Sequence, residues 1–124
     1  MNRAELGEHI FKTYGVEPDF PWDNSPDYAV YRHADNRKWF ALVMVIPRRT
    51  LGLDGDGTID VVNLKCDPVL IGSLRLEKGF FPAYHMSKEK WITVALDGTV
   101  DDERLKALVD MSFDLTAVKI KKNK

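Results

Sequence analysis

One cysteine, three histidines and two carboxylate clusters are the residues of this 124-residue chain whose types could support catalysis or hold a metal. Cys66 stands just ahead of Asp67-Pro68, a helix-start signal. The helix dipole and free N–H groups there can lower a thiol pKa, and His85 would be the base of a nucleophile–base pair. Yet Cys66 also continues the inward alternation of Val62 and Leu64, as a small buried apolar residue does. Nothing in the sequence brings His85 to it, so core packing is the preferred reading. Leu53–Asp60, LDGDGTID, matches the middle of a calcium-binding EF-hand loop. Its register puts Gly52 first and Asn63 twelfth, where both ends need carboxylates. A Gly-Asp turn feeding a strand is the better account. His9, His33 and His85 lack metal-ligand spacing, and one cysteine cannot complete a thiolate zinc site. Asp101-Asp102-Glu103 fall in a helix's first turn, where they complement the dipole. With no G-x-S-x-G, phosphate loop or dinucleotide fingerprint, the expectation is a protein without catalytic residues, metal or cofactor.

The remaining chemistry belongs to cations and rings. Arg32, Arg37, Lys38, Arg48 and Arg49 gather around one predicted hairpin, opposed between residues 30 and 50 by Asp35 alone. Lys65, Lys88 and Lys90 join them from a third strand and a second hairpin's turn. Within Pro82–Gly98, PAYHMSKEKWITVALDG, the rings of Tyr84, His85 and Trp91 lie close to Lys88 and Lys90. Basic hairpin tips can track phosphates, and such rings can stack on bases or wedge at a groove. The competing reading has Tyr84 and Trp91 plugging a core while the lysines keep hairpin edges soluble. Residue chemistry alone leans to the second.

These side chains need elements to position them. Residues 3–14 read as a helix, with Leu6, Ile10 and Tyr14 on one face and Phe11 beside them. Gly15 stops it, and Pro18, Pro21 and Pro26 make residues 17–27 an irregular connection. Tyr28–Ala34 and Lys38–Ile46 read as strands joined by an Asp35-Asn36-Arg37 turn. The second is apolar on both faces: Trp39, Ala41, Val43 and Val45 on one, Phe40, Leu42, Met44 and Ile46 on the other. It is therefore a central strand covered on each side, or part of an interface. A third strand follows at Ile59–Lys65. Asp67-Pro68 opens a helix carrying Val69, Leu70, Ile71 and Leu74 and ending near Lys78-Gly79. Phe81–His85 and Trp91–Leu96 form a second hairpin. Thr99 or Asp101 caps a last helix with Leu105, Leu108, Val109, Ser112 and Leu115 on one stripe. The order is α-β-β-β-α-β-β-α. Short turns between strands imply an antiparallel sheet with helices packed on it, an α+β two-layer sandwich.

Size and charge bound the function. The length suits one domain, residues 1–118, followed by a basic tail at 119–124. The longest apolar run, Phe40–Ile46, is far short of a membrane span, and the first residues read as a helix start rather than a signal segment. One cysteine fits a reducing cytoplasm, the expected location. Lys and Arg total 18 against 19 Asp and Glu. The first half is net acidic, with Glu17, Asp19, Asp23 and Asp27 forming an acidic arm, and the second half net basic. That balance counts against strong nonspecific DNA binding, which relies on a basic surplus.

Asn63-Leu64-Lys65-Cys66-Asp67-Pro68, Pro82-Ala83-Tyr84-His85-Met86-Ser87-Lys88 leading to Trp91 and Thr93, and Leu96-Asp97-Gly98 before an acidic helix start together resemble the MmcQ/YjbR family of small bacterial proteins. The resemblance runs from about Phe20 to Leu115. It implies a two-layer, secretion-chaperone-like sandwich and a "double wing" module that binds DNA through its strands. Two positions depart from the family pattern: Lys90 stands where His is expected, and Ala83 where Gly is usual. The second suggests that this strand start needs no positive φ. On this reading Lys65, Lys88, Lys90 and Trp91, with Arg32, Lys38 and Arg48 on phosphates and Tyr84 and His85 on bases, form a DNA-binding surface. The alternative is a protein-interaction or chaperone-like module, pairing as a homodimer or with another protein, using the doubly apolar strand and the acidic arm.

Overall fold

A computed structural model describes residues 1–118, so the expected tail at 119–124 lies outside the described residues. Three helices and five strands follow one another as α1 (Arg3–Tyr14), β1 (Ala29–Arg32), β2 (Trp39–Pro47), β3 (Thr58–Lys65), α2 (Pro68–Leu74), β4 (Phe80–Pro82), β5 (Trp91–Ala95) and α3 (Asp102–Thr116), with a short 3-10 turn at Arg48–Leu51. This is the expected α+β order. The strands form one antiparallel sheet, β1-β2-β3-β5-β4.

Local chemistry sets the helix ends. Asn2 and Glu5 close a capping box on α1, and Gly15 ends it in the left-handed region. Asp67 accepts from the Val69 N–H at the start of α2. Asp101, rather than Thr99, caps α3 through the N–H groups of Glu103 and Arg104.

All three helices cover one face of the sheet. Leu6 and Ile10 of α1, Ile71 and Leu74 of α2, and Leu105, Leu108 and Val109 of α3 share a core with Tyr31, Val43, Val62, Leu64, Ile92 and Val94. The opposite face has its own cluster, Val30, Leu42, Met44, Ile46, Ile59, Val61 and Ala95, and connections rather than helices cover it. Trp22 and Tyr28 arrive from the proline-rich segment, Leu51 and Leu53 from the β2–β3 connection, and Tyr84 and Met86 from the β4–β5 turn. The doubly apolar β2 is thus satisfied within the chain. No described helix is long and apolar enough to cross a membrane.

Several side chains differ from expectation. Leu115 is exposed, and Thr116, one helical step on, takes the inward position below Ser112. Phe11 is exposed, as is Val69, at 84%. Helix α2 stops at Leu74 because the next amides turn to three-residue bonds, Leu76 to Ser73 and Glu77 to Leu74. Strand β4 ends at Pro82 rather than His85, for a reason that lies in the site.

Candidate nucleic-acid interface

The site begins with a β-bulge. Tyr31 pairs with Ala41 but Arg32 pairs with Trp39, so Phe40 is an extra residue on β2. Period-two alternation, which puts Trp39 with Ala41, fails at this point. Phe40 turns into the helix-side core, fully buried, with its ring 5.0 Å from that of Phe113 and 5.3 Å from that of His33. Trp39 turns to the outer face, into the cluster of Leu42 and Met44.

The bulge takes the Phe40 carbonyl and the Lys65 N–H out of the β2–β3 ladder. Ser112 of α3 serves both: its Oγ accepts from Lys65 N at 2.8 Å and donates to Phe40 O at 2.6 Å. One buried hydroxyl therefore holds the bulge, the end of β3 and α3 together. His33 joins the same core, its Nε2 2.8 Å from Thr116 Oγ1, which in turn donates to Ser112 O.

A second buried network fixes the β4–β5 turn. Asn63 and Thr93 are fully buried polar residues facing each other across β3 and β5. Thr93 Oγ1 accepts from Tyr84 N at 3.0 Å and donates to Asn63 Oδ1, while Asn63 Nδ2 donates to Tyr84 O at 2.7 Å. Both backbone groups of Tyr84 are thereby drawn from the ladder, which is why β4 ends early. His85 follows with φ +65, a left-handed conformation uncommon for a residue with a side chain. Its ring packs at 3.9 Å on Tyr84. The positive φ thus falls on His85 and not on buried Ala83.

The strand registers place several of the predicted residues. Arg32 and Trp39 are cross-strand partners, as are Lys65 and Trp91. By the pleat, all four lie on the outer face, at the sheet end where β2 begins and β3 finishes. Lys38 and Lys90 are exposed in the adjoining turns. Arg32 is already engaged: its Nε donates to Asp19 Oδ2 at 2.9 Å and its guanidinium lies 5.6 Å above the Trp39 ring. Lys88 lines a hollow with Thr50, Leu51 and Tyr84, toward the β2–β3 connection. Arg48 does not belong. It follows the far end of β2, about 30 Å from Trp39 at the rise of an extended strand, with its Nε on the Asp54 carbonyl.

Between the turn and the proline-rich segment lies a pocket of about 330 Å³, lined by Trp22, Ser25, Tyr28, Trp39, Leu42, Met44, His85 and Met86. Of these, His85 alone is among the nucleic-acid-binding residues expected from the sequence, while Trp39, Leu42 and Met44 belong to the doubly apolar strand of the partner-binding alternative. Trp22 and Tyr28 belong to no motif: the first lies in the proline-rich connection and the second at the expected start of the first strand. Ring planes of Trp22 and Trp39 cross at 84° with centroids 5.6 Å apart, and those of Trp22 and Tyr28 at 82° and 6.1 Å. Burial raises the Tyr28 pKa, with Tyr84 nearby adding to it.

Cys66 stands away from all of this. It is buried on the helix side, its thiol pKa pushed up by burial, and the sheet separates it from His85 on the outer face. Among the described residues no three His, Cys, Asp or Glu side chains group as metal ligands would.

Fingerprint residues Asn63, Tyr84 and Thr93 therefore act together in one lock. Residues 11–115 match the family model described as YjbR, and the chain belongs to that family. Protein YyaQ of Bacillus subtilis is 41% identical over 116 residues, covering 94% of this chain and 98% of its own. A crystal structure of a Pseudomonas syringae protein superposes with a TM-score of 0.92 at 49% identity, over 94% of this chain and 100% of that one. Deinococcus radiodurans protein DR2400, with domain DUF419, gives 0.70 at 26% identity, over 92% of this chain and 77% of that one.

Proposed function

We propose that the protein is a non-catalytic nucleic-acid-binding module acting through the outer face at the Trp39–Trp91 end of the sheet. The observation that carries this reading is the pairing of a cation with a tryptophan on neighbouring strands, Arg32 with Trp39 and Lys65 with Trp91, flanked by Lys38 and Lys90. Phosphates suit the lysines and bases suit the indoles. Binding is modest, since net charge is −1 and Asp19 already holds Arg32.

Anisotropy titration of labelled DNA at low and moderate salt tests the proposal. Neutralising three phosphates with Lys38, Lys65 and Lys90 gives a log–log salt slope of about −2 to −3. Lys65→Ala with Lys90→Ala removes most of that slope. Absence of binding at low salt, or binding indifferent to salt, overturns the reading.

A second reading, a partner-binding module, rests on Val69 in the first turn of α2 and Leu76 just past its end, 84% and 89% exposed. Sedimentation that depends on protein concentration and is lost in Val69→Ser with Leu76→Ser favours it for self-association.

A further inference from the structure

The pocket beside the cationic end of the sheet has an aromatic lining that phosphate tracking does not require. Resting on the nucleic-acid reading above, we propose that it receives a single unstacked base, so that the protein prefers single strands to duplex. Its volume of about 330 Å³ lies at the small end of ligand pockets, which begin at about 300 Å³. Trp22 stands nearly perpendicular to both Trp39 and Tyr28, so its ring and theirs present walls at right angles to one space. Leu42, Met44 and Met86 complete an apolar lining that suits a flat π-surface. Ser25, Tyr28 and His85, with the indole N–H groups of Trp22 and Trp39, carry the side-chain hydrogen-bonding atoms there that could meet a base edge.

Charge at the Trp39 end of the pocket narrows the choice of occupant. The guanidinium of Arg32 already lies over the Trp39 ring, which disfavours a cationic ligand against the same indole. Lys38, next to Trp39 in the chain and exposed, is placed to meet a backbone phosphate outside the pocket. An aromatic ligand carrying negative charge fits both facts, and a nucleotide within a strand is such a ligand. A base inside a duplex cannot leave its stack without losing pairing and stacking, whereas a single strand offers it freely. His85 is the most deliberate feature. Its left-handed backbone is held by the buried Asn63–Thr93 clamp on Tyr84, and that clamp sets its ring at the pocket. Strain so maintained is characteristic of functional positions.

The test uses wild-type protein and three DNA probes of equal length: a single strand, its duplex, and a single strand carrying abasic sites. All keep the phosphates, but only the first offers free bases. The expected result is at least tenfold tighter binding of the intact single strand than of either other probe, with tryptophan fluorescence quenched by that probe alone. Ser25→Tyr, which fills the pocket, should reduce the intact strand to the affinity of the abasic one and leave its salt slope unchanged. Equal affinity for intact and abasic strands with salt-dependent binding retained overturns the pocket proposal and leaves the nucleic-acid reading standing. No binding of any probe at low salt overturns both. Saturation of the pocket by hexanol, with no response to the intact strand, makes it an apolar-ligand site and also overturns the proposal.

Discussion

At the scale of single residues, His85 separates stability from binding. Its φ of +65 costs about 1 kcal/mol or more in a residue with a β-carbon, and glycine removes that cost while adding chain entropy to the unfolded state. His85→Gly should therefore remain within about 1 kcal/mol of wild type in urea unfolding while losing affinity for single-stranded DNA. Unchanged affinity would return the ring to a purely structural role. Cys66, the residue with the most reactive chemistry in the sequence, is instead a core side chain whose thiol burial holds protonated. Chemistry read from residue type is conditional on exposure, and exposure is not a property of the residue.

Among the elements, the bulge in β2 does the most. By inserting Phe40 it sends one aromatic ring to each side of the sheet, and it depends on α3 for Ser112. Ser112→Ala leaves a buried carbonyl and a buried N–H without partners, at about 1–3 kcal/mol for each group stranded. Urea unfolding should show a loss of about 2 kcal/mol or more, with the Lys65 amide exchanging faster than its neighbours in β3. A loss under 0.5 kcal/mol, on the order expected of a neutral surface change, would mean that water replaces the hydroxyl. Strand periodicity located β2 correctly but assigned Trp39 and Phe40 to the wrong faces, because one inserted residue reverses the alternation beyond it. The bulge leaves no local signal: the serine that sustains it is 72 residues away.

For the whole molecule, the position of charge matters more than its total. The predicted cations come from several segments, and the sheet gathers Arg32, Lys38, Lys65 and Lys90 at one end while leaving Arg48 at the other. Arg48→Ala should consequently leave DNA affinity and its salt slope unchanged, in contrast to the Lys65 and Lys90 pair. A matching loss in both variants would spread the interface over the full face and contradict the proposed end. Coverage of both sheet faces from within the chain likewise narrows the apolar surface of β2 to the pocket lined by Trp39, Leu42 and Met44.

Composition, turn residues and hydrophobic period were enough to establish the α+β class, the element order and the capping of α2, because each depends on neighbours a few residues apart. The spacing of Asn63, Tyr84 and Thr93 likewise marked the family before their shared hydrogen bonds could be seen. Only the tertiary structure decided that those residues clamp a strained histidine, that Trp39 faces outward, and that Trp22 and Tyr28 complete a pocket with it. Those outcomes rest on contacts between segments far apart in the chain, where strand register and a single bulge determine which side chains meet.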